Sequence, residues 1–131
     1  MIQDYAFSGC ESLEKVSMPS EVWYVGNDVF EECRGLKTVK MSSKIRALGS
    51  GAFAFCESLE SITIPPEITN LSNTFFRCSS LRTVYFEGDA PSISNRTFSE
   101  VTATCYYPSG NRTWTISKMS DYEGKLTWQA N

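Results

Sequence analysis

AFAFCESLESITIPPEI, residues 52–68, is the stretch of sequence that decides the fold, because the chain contains three further versions of it. The other copies read AFSGCESLEKVSM from Ala6, VFEECRGLKTVKM from Val29 and TFFRCSSLRTVYF from Thr74. Their phenylalanines are separated by 23, 23 and 22 residues and stand at Phe7, Phe30, Phe53 and Phe75. A nearly constant period of this length predicts a solenoid, in which one short unit stacks on the next.

Each unit combines two local patterns. Apolar and polar residues first alternate, which predicts a short strand with its apolar side chains facing inward. The inward pairs are Val16 and Met18, Val39 and Met41, Ile62 and Ile64, and Val84 and Phe86. The phenylalanine, the cysteine three residues later and the leucine three beyond it are expected on one face of a short helical turn. The predicted fold class is therefore α/β, with a short parallel sheet along one side of the solenoid and helical turns beside it.

The repeat pattern weakens toward the C-terminus. A fifth unit contains Phe98, 23 residues after the preceding phenylalanine, and Val101 takes the place of the cysteine. The segment that follows breaks the period and contributes two tryptophans. We predict about five units of 22–23 residues over residues 1–108, the first of them truncated, and a C-terminal cap of the same domain over residues 109–131.

Composition and charge exclude several functions. The chain has 131 residues, of which 41 % are apolar and 21 % charged, and its net charge is −3. A nucleic-acid partner would need a basic face, and a membrane span would need about 20 consecutive apolar residues. The first residues have neither the basic nor the apolar region of a signal peptide. We therefore expect no nucleic-acid partner, no membrane insertion by this segment and no signal peptide within it.

The chain has five cysteines and no histidine. Four cysteines, Cys10, Cys33, Cys56 and Cys78, share one position of the repeat. Their side chains point in parallel, which favours buried free thiols, although the close stacking leaves a disulfide open. A zinc site needs four converging ligands, which a linear column does not provide. Because the commonest general base is also missing, we predict no catalytic residue, no metal, no cofactor and no enzymatic activity.

The copies that begin at Ala6 and Ala52 resemble, nearly position by position, the consensus AFxGCxSLxxIxIPxxVxxIG of the BspA-like (Treponema pallidum-type) leucine-rich repeats. The resemblance covers the whole chain, since its ending is also similar to the C-terminal cap of such proteins. It implies a right-handed leucine-rich-repeat solenoid in a secreted or surface-anchored bacterial protein. It also implies a role in adhesion or in binding other proteins, without naming a ligand.

The start of the chain lies partway through a repeat unit. Terminal repeats normally carry a polar cap, so we expect a C-terminal fragment of a longer protein. Trp23 and Tyr24 occupy positions that are mostly polar in later units, and both are expected to be exposed. Either an upstream repeat covers this patch, or the patch drives weak self-association through the truncated N-terminal repeat.

The outward-facing strand positions are the predicted binding surface, because solenoids use an extended sheet face for recognition. Tyr85 and Tyr106 should be adjacent there, and such a pair either anchors a partner or only stabilises the sheet. The predicted binding residues are Tyr85, Tyr106, Lys40, Thr63, Thr83 and Lys15. A neighbouring column, Glu14, Lys37, Glu60 and Arg82, is expected to form cross-strand ion pairs.

Taken with the resemblance, these patterns predict a non-enzymatic adhesion module of a bacterial secreted or cell-surface protein. It would bind a protein or a glycan through the concave strand face. The alternative is a structural spacer or capping segment of a larger surface protein, with no ligand of its own. A hydrolase would need two converging carboxylates with perturbed pKa values, for which the sequence gives no support.

Overall fold

The computed structural model describes residues 1–131 and contains short strands without any helix. The ten strands are β1 (Lys15–Ser17), β2 (Tyr24–Val25), β3 (Thr38–Lys40), β4 (Ala47–Leu48), β5 (Ser61–Ile64), β6 (Asn70–Leu71), β7 (Thr83–Phe86), β8 (Ser92–Ile93), β9 (Thr102–Tyr107) and β10 (Lys125–Ala130). No helix is therefore present that is long and apolar enough to cross a membrane.

Each repeat unit forms one coil of a solenoid, and consecutive coils lie in register. Every strand pair is parallel: β1 with β3, β2 with β4, β6 with β8, and the sheet of β5, β7, β9 and β10. Val84, for example, lies opposite Ile62 on one side and opposite Cys105 on the other. The parallel-strand solenoid predicted from the period is confirmed.

A column of phenylalanine rings forms the centre of the core. Its members are Phe7, Phe30, Phe53, Phe75 and Phe98, with successive ring centroids 5.6, 5.3, 6.0 and 5.7 Å apart. All but the first ring are at most 1 % exposed. Stacked aromatic pairs contribute about 0.5–1.5 kcal/mol each beyond the burial of their area. A single coil would leave both faces of its ring in water, so the core exists only because the coils stack.

The predicted helical turns after each phenylalanine are absent. In the second coil, Cys33 N–H donates to the Phe30 carbonyl oxygen at 3.1 Å, but this turn ends at Glu32, whose φ is 59°. The N–H groups of Phe30 and Glu32 donate to Ala52 and Ala54 of the next coil, at 2.9 and 2.8 Å. Because these amides are used between coils, they cannot form the bonds of a helix. The left-handed residue recurs in every coil, at Gly9, Glu32, Phe55, Arg77 and Glu100. The α/β class is therefore not confirmed, and the chain is a β-solenoid.

Residues 109–131 add a further layer at the C-terminal end. β10 pairs with β9 along its whole length, and Trp128 lies opposite Cys105. The interval between those two residues is again 23, so the backbone keeps the period that the sequence pattern loses.

An aromatic cluster covers the C-terminal end of the core. The Trp114 ring centroid lies 4.7 Å from that of Phe86 and 5.5 Å from that of Trp128. Trp114 Nε1 donates to the Gly88 carbonyl oxygen at 3.0 Å, which satisfies the one polar group of this buried side chain. The Tyr122 ring, 6.4 Å from the last phenylalanine, ends the ring column. The C-terminal end of the solenoid is thus closed by large side chains.

The strand ladders are interrupted between the second and third coils. β3 is not hydrogen-bonded to β5, and β4 is not hydrogen-bonded to β6. On the opposite side the same two coils remain joined through the amides of Phe30 and Glu32. The strand face therefore has two parts, one made by β1 and β3 and the other by β5, β7, β9 and β10.

Replacing Phe53 with alanine should lower the free energy of unfolding by about 3–5 kcal/mol, because a buried ring leaves a cavity at the middle of the column. Urea denaturation followed by tryptophan fluorescence measures this change. Ile116→Ala is the control, since Ile116 is 88 % exposed and its loss should change stability by no more than about 0.5 kcal/mol. Equal effects of the two substitutions would contradict a core built on the ring column.

Candidate binding surface on the strand face

The outward-facing residues of the four-stranded sheet form straight columns. Thr63 lies opposite Tyr85, and Tyr85 lies opposite Tyr106. The two tyrosine rings stack, with centroids 5.2 Å apart and planes inclined by 14°. Tyr85 is 40 % exposed and Tyr106 is half-buried. The structure therefore brings the two tyrosines into contact on an accessible surface.

The outward positions beside the two tyrosines on β5, β7 and β9 are polar and uncharged. Thr83 pairs with Ser61 on one side and with Thr104 on the other, which places three hydroxyl groups in a second column. The outward positions of β5, β7 and β9 thus carry hydroxyl groups and aromatic rings without any charge.

Lys15 and Lys40 lie on the other part of the strand face. Lys15 pairs with Thr38 within the sheet of β1 and β3, and Lys40 is exposed at the end of β3. Lys40, Thr63 and Glu87 contribute to the lining of a cleft of about 670 Å³ between β3 and β5. The structure places four of the six predicted binding residues in one sheet, and the two lysines beyond the interruption.

The predicted aromatic patch is smaller than expected. Trp23 is 54 % exposed, but Tyr24 is half-buried. Tyr24 belongs to β2 and pairs with Ala47 of β4, which holds it against the neighbouring coil. The expectation of two exposed rings is therefore met by Trp23 alone. The groove beside Trp23 is otherwise lined by Glu21, Ser43, Lys44, Arg46 and Glu67.

The N-terminal end of the solenoid is an open apolar surface, here called the N-terminal face. It encloses a hollow of about 430 Å³, lined mainly by Ile2, Phe7, Leu13, Val16, Met18 and Val22. Phe7, the first ring of the column, is 43 % exposed, whereas the rings behind it are buried. β1 has a strand partner on one side only. The two ends of the solenoid therefore differ, because the C-terminal end is covered by aromatic side chains.

The ion pairs differ from those expected. Arg34 interacts with Glu11, Glu32 and Glu57, and its closest nitrogen lies 2.8 Å from a Glu57 oxygen. The column predicted to pair was Glu14, Lys37, Glu60 and Arg82. It contains no ion pair, because Arg82 donates to nearby backbone carbonyl oxygens. The prediction was wrong, although the 23-residue spacing of Glu11, Arg34 and Glu57 carried the signal for the pairs that do form.

The cysteine column forms thiol-to-carbonyl hydrogen bonds between coils. The Sγ atoms of Cys33, Cys56 and Cys78 donate to the carbonyl oxygens of Phe7, Phe30 and Phe53 at 3.1, 3.2 and 3.0 Å. In each case the acceptor belongs to the preceding coil. Sequence reasoning missed these bonds, although the constant offset between cysteine and phenylalanine was visible.

Burial raises the pKa of the interior thiols, because an apolar surrounding disfavours the thiolate. The pKa of Cys33 rises to about 11, those of Cys78 and Cys105 rise to about 12, and that of Cys56 is also raised. All five cysteines are free, and Cys10 alone is exposed. No three Cys, Asp or Glu side chains converge in the way that a metal ion requires.

The parallel coils, the phenylalanine column and the leucine beside it define the class of this protein as a leucine-rich-repeat solenoid. Residues 1–114 match the family described as the BspA type leucine-rich repeat region, in six copies. The chain belongs to this family, and the resemblance read from its repeated motif is confirmed.

Several solved structures are similar to this chain. A leucine-rich cell surface protein from Faecalibacterium prausnitzii shares 30 % identity and a TM-score of 0.77 over 86 % of the chain. A leucine-rich repeat protein of T. pallidum shares 24 % identity and a TM-score of 0.73 over 99 % of the chain. One from Bacteroides ovatus shares 19 % identity and a TM-score of 0.68 over 98 % of the chain. At these identities the two structures show the fold alone. The chain spans 31 %, 63 % and 35 % of these three proteins, respectively. No curated protein matches it.

The raised thiol pKa values predict that stability falls at alkaline pH. An unfolded cysteine ionises near pH 8.5, whereas folded Cys33 and Cys78 ionise at about 11 and 12. Their stabilising effect is complete below the unfolded pKa. Above it the unfolded chain binds fewer protons than the folded one, so the free energy of unfolding should fall by up to about 1.4 kcal/mol per pH unit for each such thiol.

Urea denaturation at pH values from about 7.5 to 10 measures how steeply the free energy of unfolding falls with pH. Cys78→Ala should make the slope smaller by the contribution of one thiol. A slope that is the same in this variant and in the parent chain would contradict the prediction.

Proposed function

We propose that this chain is a non-enzymatic recognition module of a bacterial secreted or cell-surface protein, and that it binds a partner protein through the strand face. Membership of the repeat family supports an interaction role, and a relative of 30 % identity is a cell surface protein. The observation that carries the proposal is the stacking of exposed Tyr85 on half-buried Tyr106 at an open sheet surface. Exposed tyrosines are common binding hot spots, because they offer a large apolar area and a hydroxyl group.

The stacking of the two rings prepares them for binding. Each ring limits the rotation of the other, so less side-chain entropy is lost when a partner arrives. Thr63 and Thr83 add hydroxyl groups beside Tyr85, in positions fixed by the sheet register. The centre of the contact is therefore a rigid, uncharged platform.

The two lysines give the proposed surface a charged end. Lys15 and Lys40 are exposed on β1 and β3, at one end of the strand face. Positive charge at the rim of an interface mainly raises the association rate and helps to orient the partner. A partner that extends across the whole face would carry an acidic group opposite these lysines.

Replacing Tyr85 and Tyr106 together with alanine should abolish binding while the solenoid stays folded. The loss of a hot-spot tyrosine costs about 2 kcal/mol, so each substitution should weaken binding about 30-fold. The parent chain and the double variant would be immobilised, exposed to surface-protein extracts of host epithelium and of neighbouring bacteria, and compared for the proteins that they retain. A protein retained by the parent and lost from the double variant would then be titrated against both.

Trp23→Ala is the matched control, because it removes an exposed aromatic ring that lies off the sheet surface. Equal retention by the parent and by the tyrosine variant would overturn the proposed site. A chain that retains no protein would favour the spacer function. Loss of retention after enzymatic deglycosylation of the extract would show that the ligand is a glycan.

The N-terminal face is a second contact surface in this proposal, and two copies of the chain pair weakly through it. Its apolar lining and the unpaired side of β1 are the features that favour association. Sedimentation equilibrium should show an average mass that rises above the monomer mass with concentration. Val22→Lys places a charge within this face and should keep the chain monomeric, whereas Ile116→Lys should not. A monomeric parent chain at every concentration would contradict this pairing.

A further inference from the structure

We propose that the solenoid has a flexible joint, a hinge, between its second and third coils. The two parts of the strand face would rotate relative to each other about an axis on the side of the phenylalanine column. One moving part carries β1 and β3, and the other carries β5, β7, β9 and β10. The existence of the joint is independent of any ligand. Its use in recognition rests on the function proposed above.

The two strand ladders are interrupted at the same level. β1 is bonded to β3 but β3 is not bonded to β5, and β2 is bonded to β4 but β4 is not bonded to β6. β5, β7, β9 and β10 are bonded in succession, and β6 is bonded to β8. Parallel strands in adjacent coils ordinarily share a continuous ladder. Its loss at one level, in both ladders, weakens the connection between the strand sides of the two coils. The hydrogen bond of Gly51 N–H to the Ser72 carbonyl oxygen, at 2.9 Å, still joins the coils just after β4 and β6.

The opposite side of the same two coils stays tightly connected. The Phe30 and Phe53 rings are 5.3 Å apart, the shortest separation in the column. Cys56 Sγ donates to the Phe30 carbonyl oxygen at 3.2 Å, and Arg34 lies 2.8 Å from Glu57. Contacts on one side and a gap on the other are the geometry of a hinge, whose axis runs along the phenylalanine side.

Side chains at the gap show that the strand side is open. Val39 and Met41 point inward from β3 but remain half-buried, whereas Ile62 and Ile64 of β5 are only 2 % exposed. Val39 and Met41 line the cleft of about 670 Å³ that lies between β3 and the turn after β5. The core of the second coil is therefore reached by solvent through the gap.

The turns beside the gap explain why it does not close. Ser42 Oγ donates to the Ser20 carbonyl oxygen at 3.2 Å, so the turn of the second coil is bonded back to the first coil. At the equivalent place the third coil has Pro65 and Pro66, which have no N–H group to donate. No hydrogen bond of either turn joins the second coil to the third.

The gap leaves identifiable amides without a partner. Glu87 N–H donates to the Ile64 carbonyl oxygen at 3.1 Å, so the backbone polar groups of Ile64 face β7. Along a strand these groups face the two neighbouring strands in turn. Ile62 and Ile64 therefore bond toward β7, and the Thr63 N–H group faces the gap. The equivalent amides of Tyr85 and Tyr106 lie inside the continuous ladder.

The joint divides the proposed recognition surface between two bodies. Lys40 belongs to the first part, and Tyr85 and Tyr106 belong to the second. A partner that contacts the lysine and the tyrosines together binds best at one opening of the joint, and it shifts the population toward that opening. A partner that contacts the tyrosines alone leaves the joint unaffected.

Amide hydrogen exchange followed by NMR tests the joint in the isolated chain. The protection factor of the Thr63 amide should be at least about 100-fold lower than those of Tyr85 and Tyr106, because an amide without an acceptor exchanges without opening of the fold. Protection of Thr63 within about tenfold of the two tyrosines would overturn the proposal. Neither result bears on ligand binding, so the failure of this inference is distinct from failure of the proposed function.

Spin labels provide a second measurement that does not depend on amide chemistry. One pair, Thr38→Cys with Thr83→Cys, spans the gap, and the matched pair, Ser61→Cys with Thr104→Cys, spans the same number of strands in the continuous sheet. Both would be made with Cys10→Ser, since the buried thiols resist labelling. Continuous-wave electron paramagnetic resonance should give a broader distance distribution for the first pair. Equal distributions would overturn the joint.

Discussion

Stacking of the coils in register is the constraint on which the rest of this structure depends. One coil is too thin to have an interior, so the ring of Phe53 is buried only between those of Phe30 and Phe75. The backbone also depends on stacking, because N–H groups that would form a helix are instead hydrogen-bonded to the neighbouring coil. Each coil is therefore stable through its neighbours, and stability is a property of the array.

The cysteines show how this constraint selects side chains. A thiol is small enough to be buried between two coils, and its hydrogen reaches the phenylalanine carbonyl oxygen of the preceding coil. That carbonyl oxygen already accepts the N–H of the cysteine in its own coil, so the thiol is a second donor. Its hydrogen bond joins two coils and gives the buried thiol an acceptor. This role differs from disulfide formation and from metal binding, although the same column of cysteines suggests both when it is seen in sequence alone.

Sequence alone predicted how equivalent side chains stack, and it missed how the backbone and the thiols form hydrogen bonds between coils. The period predicted the parallel strands and the ring column, and the contact between Tyr85 and Tyr106 followed from the strand register. The three-residue spacing of phenylalanine, cysteine and leucine suggested helical turns. The backbone instead bends at Glu32, because its N–H group donates to the next coil. The gap between β3 and β5 was missed, because both strands keep the apolar pattern of a paired strand and only Pro65 and Pro66 in the following turn indicate it.

The two ends of the solenoid offer different surfaces to a further coil. Extra coils duplicated ahead of Ile2 would meet an apolar surface that already has the shape of a coil–coil contact. A coil added beyond Trp128 would instead meet aromatic side chains that already pack on one another, with the Trp128 indole N–H bonded to the Ser120 carbonyl oxygen. A further coil would therefore bury apolar area at once on the first end, whereas the second end has already covered much of its own interior.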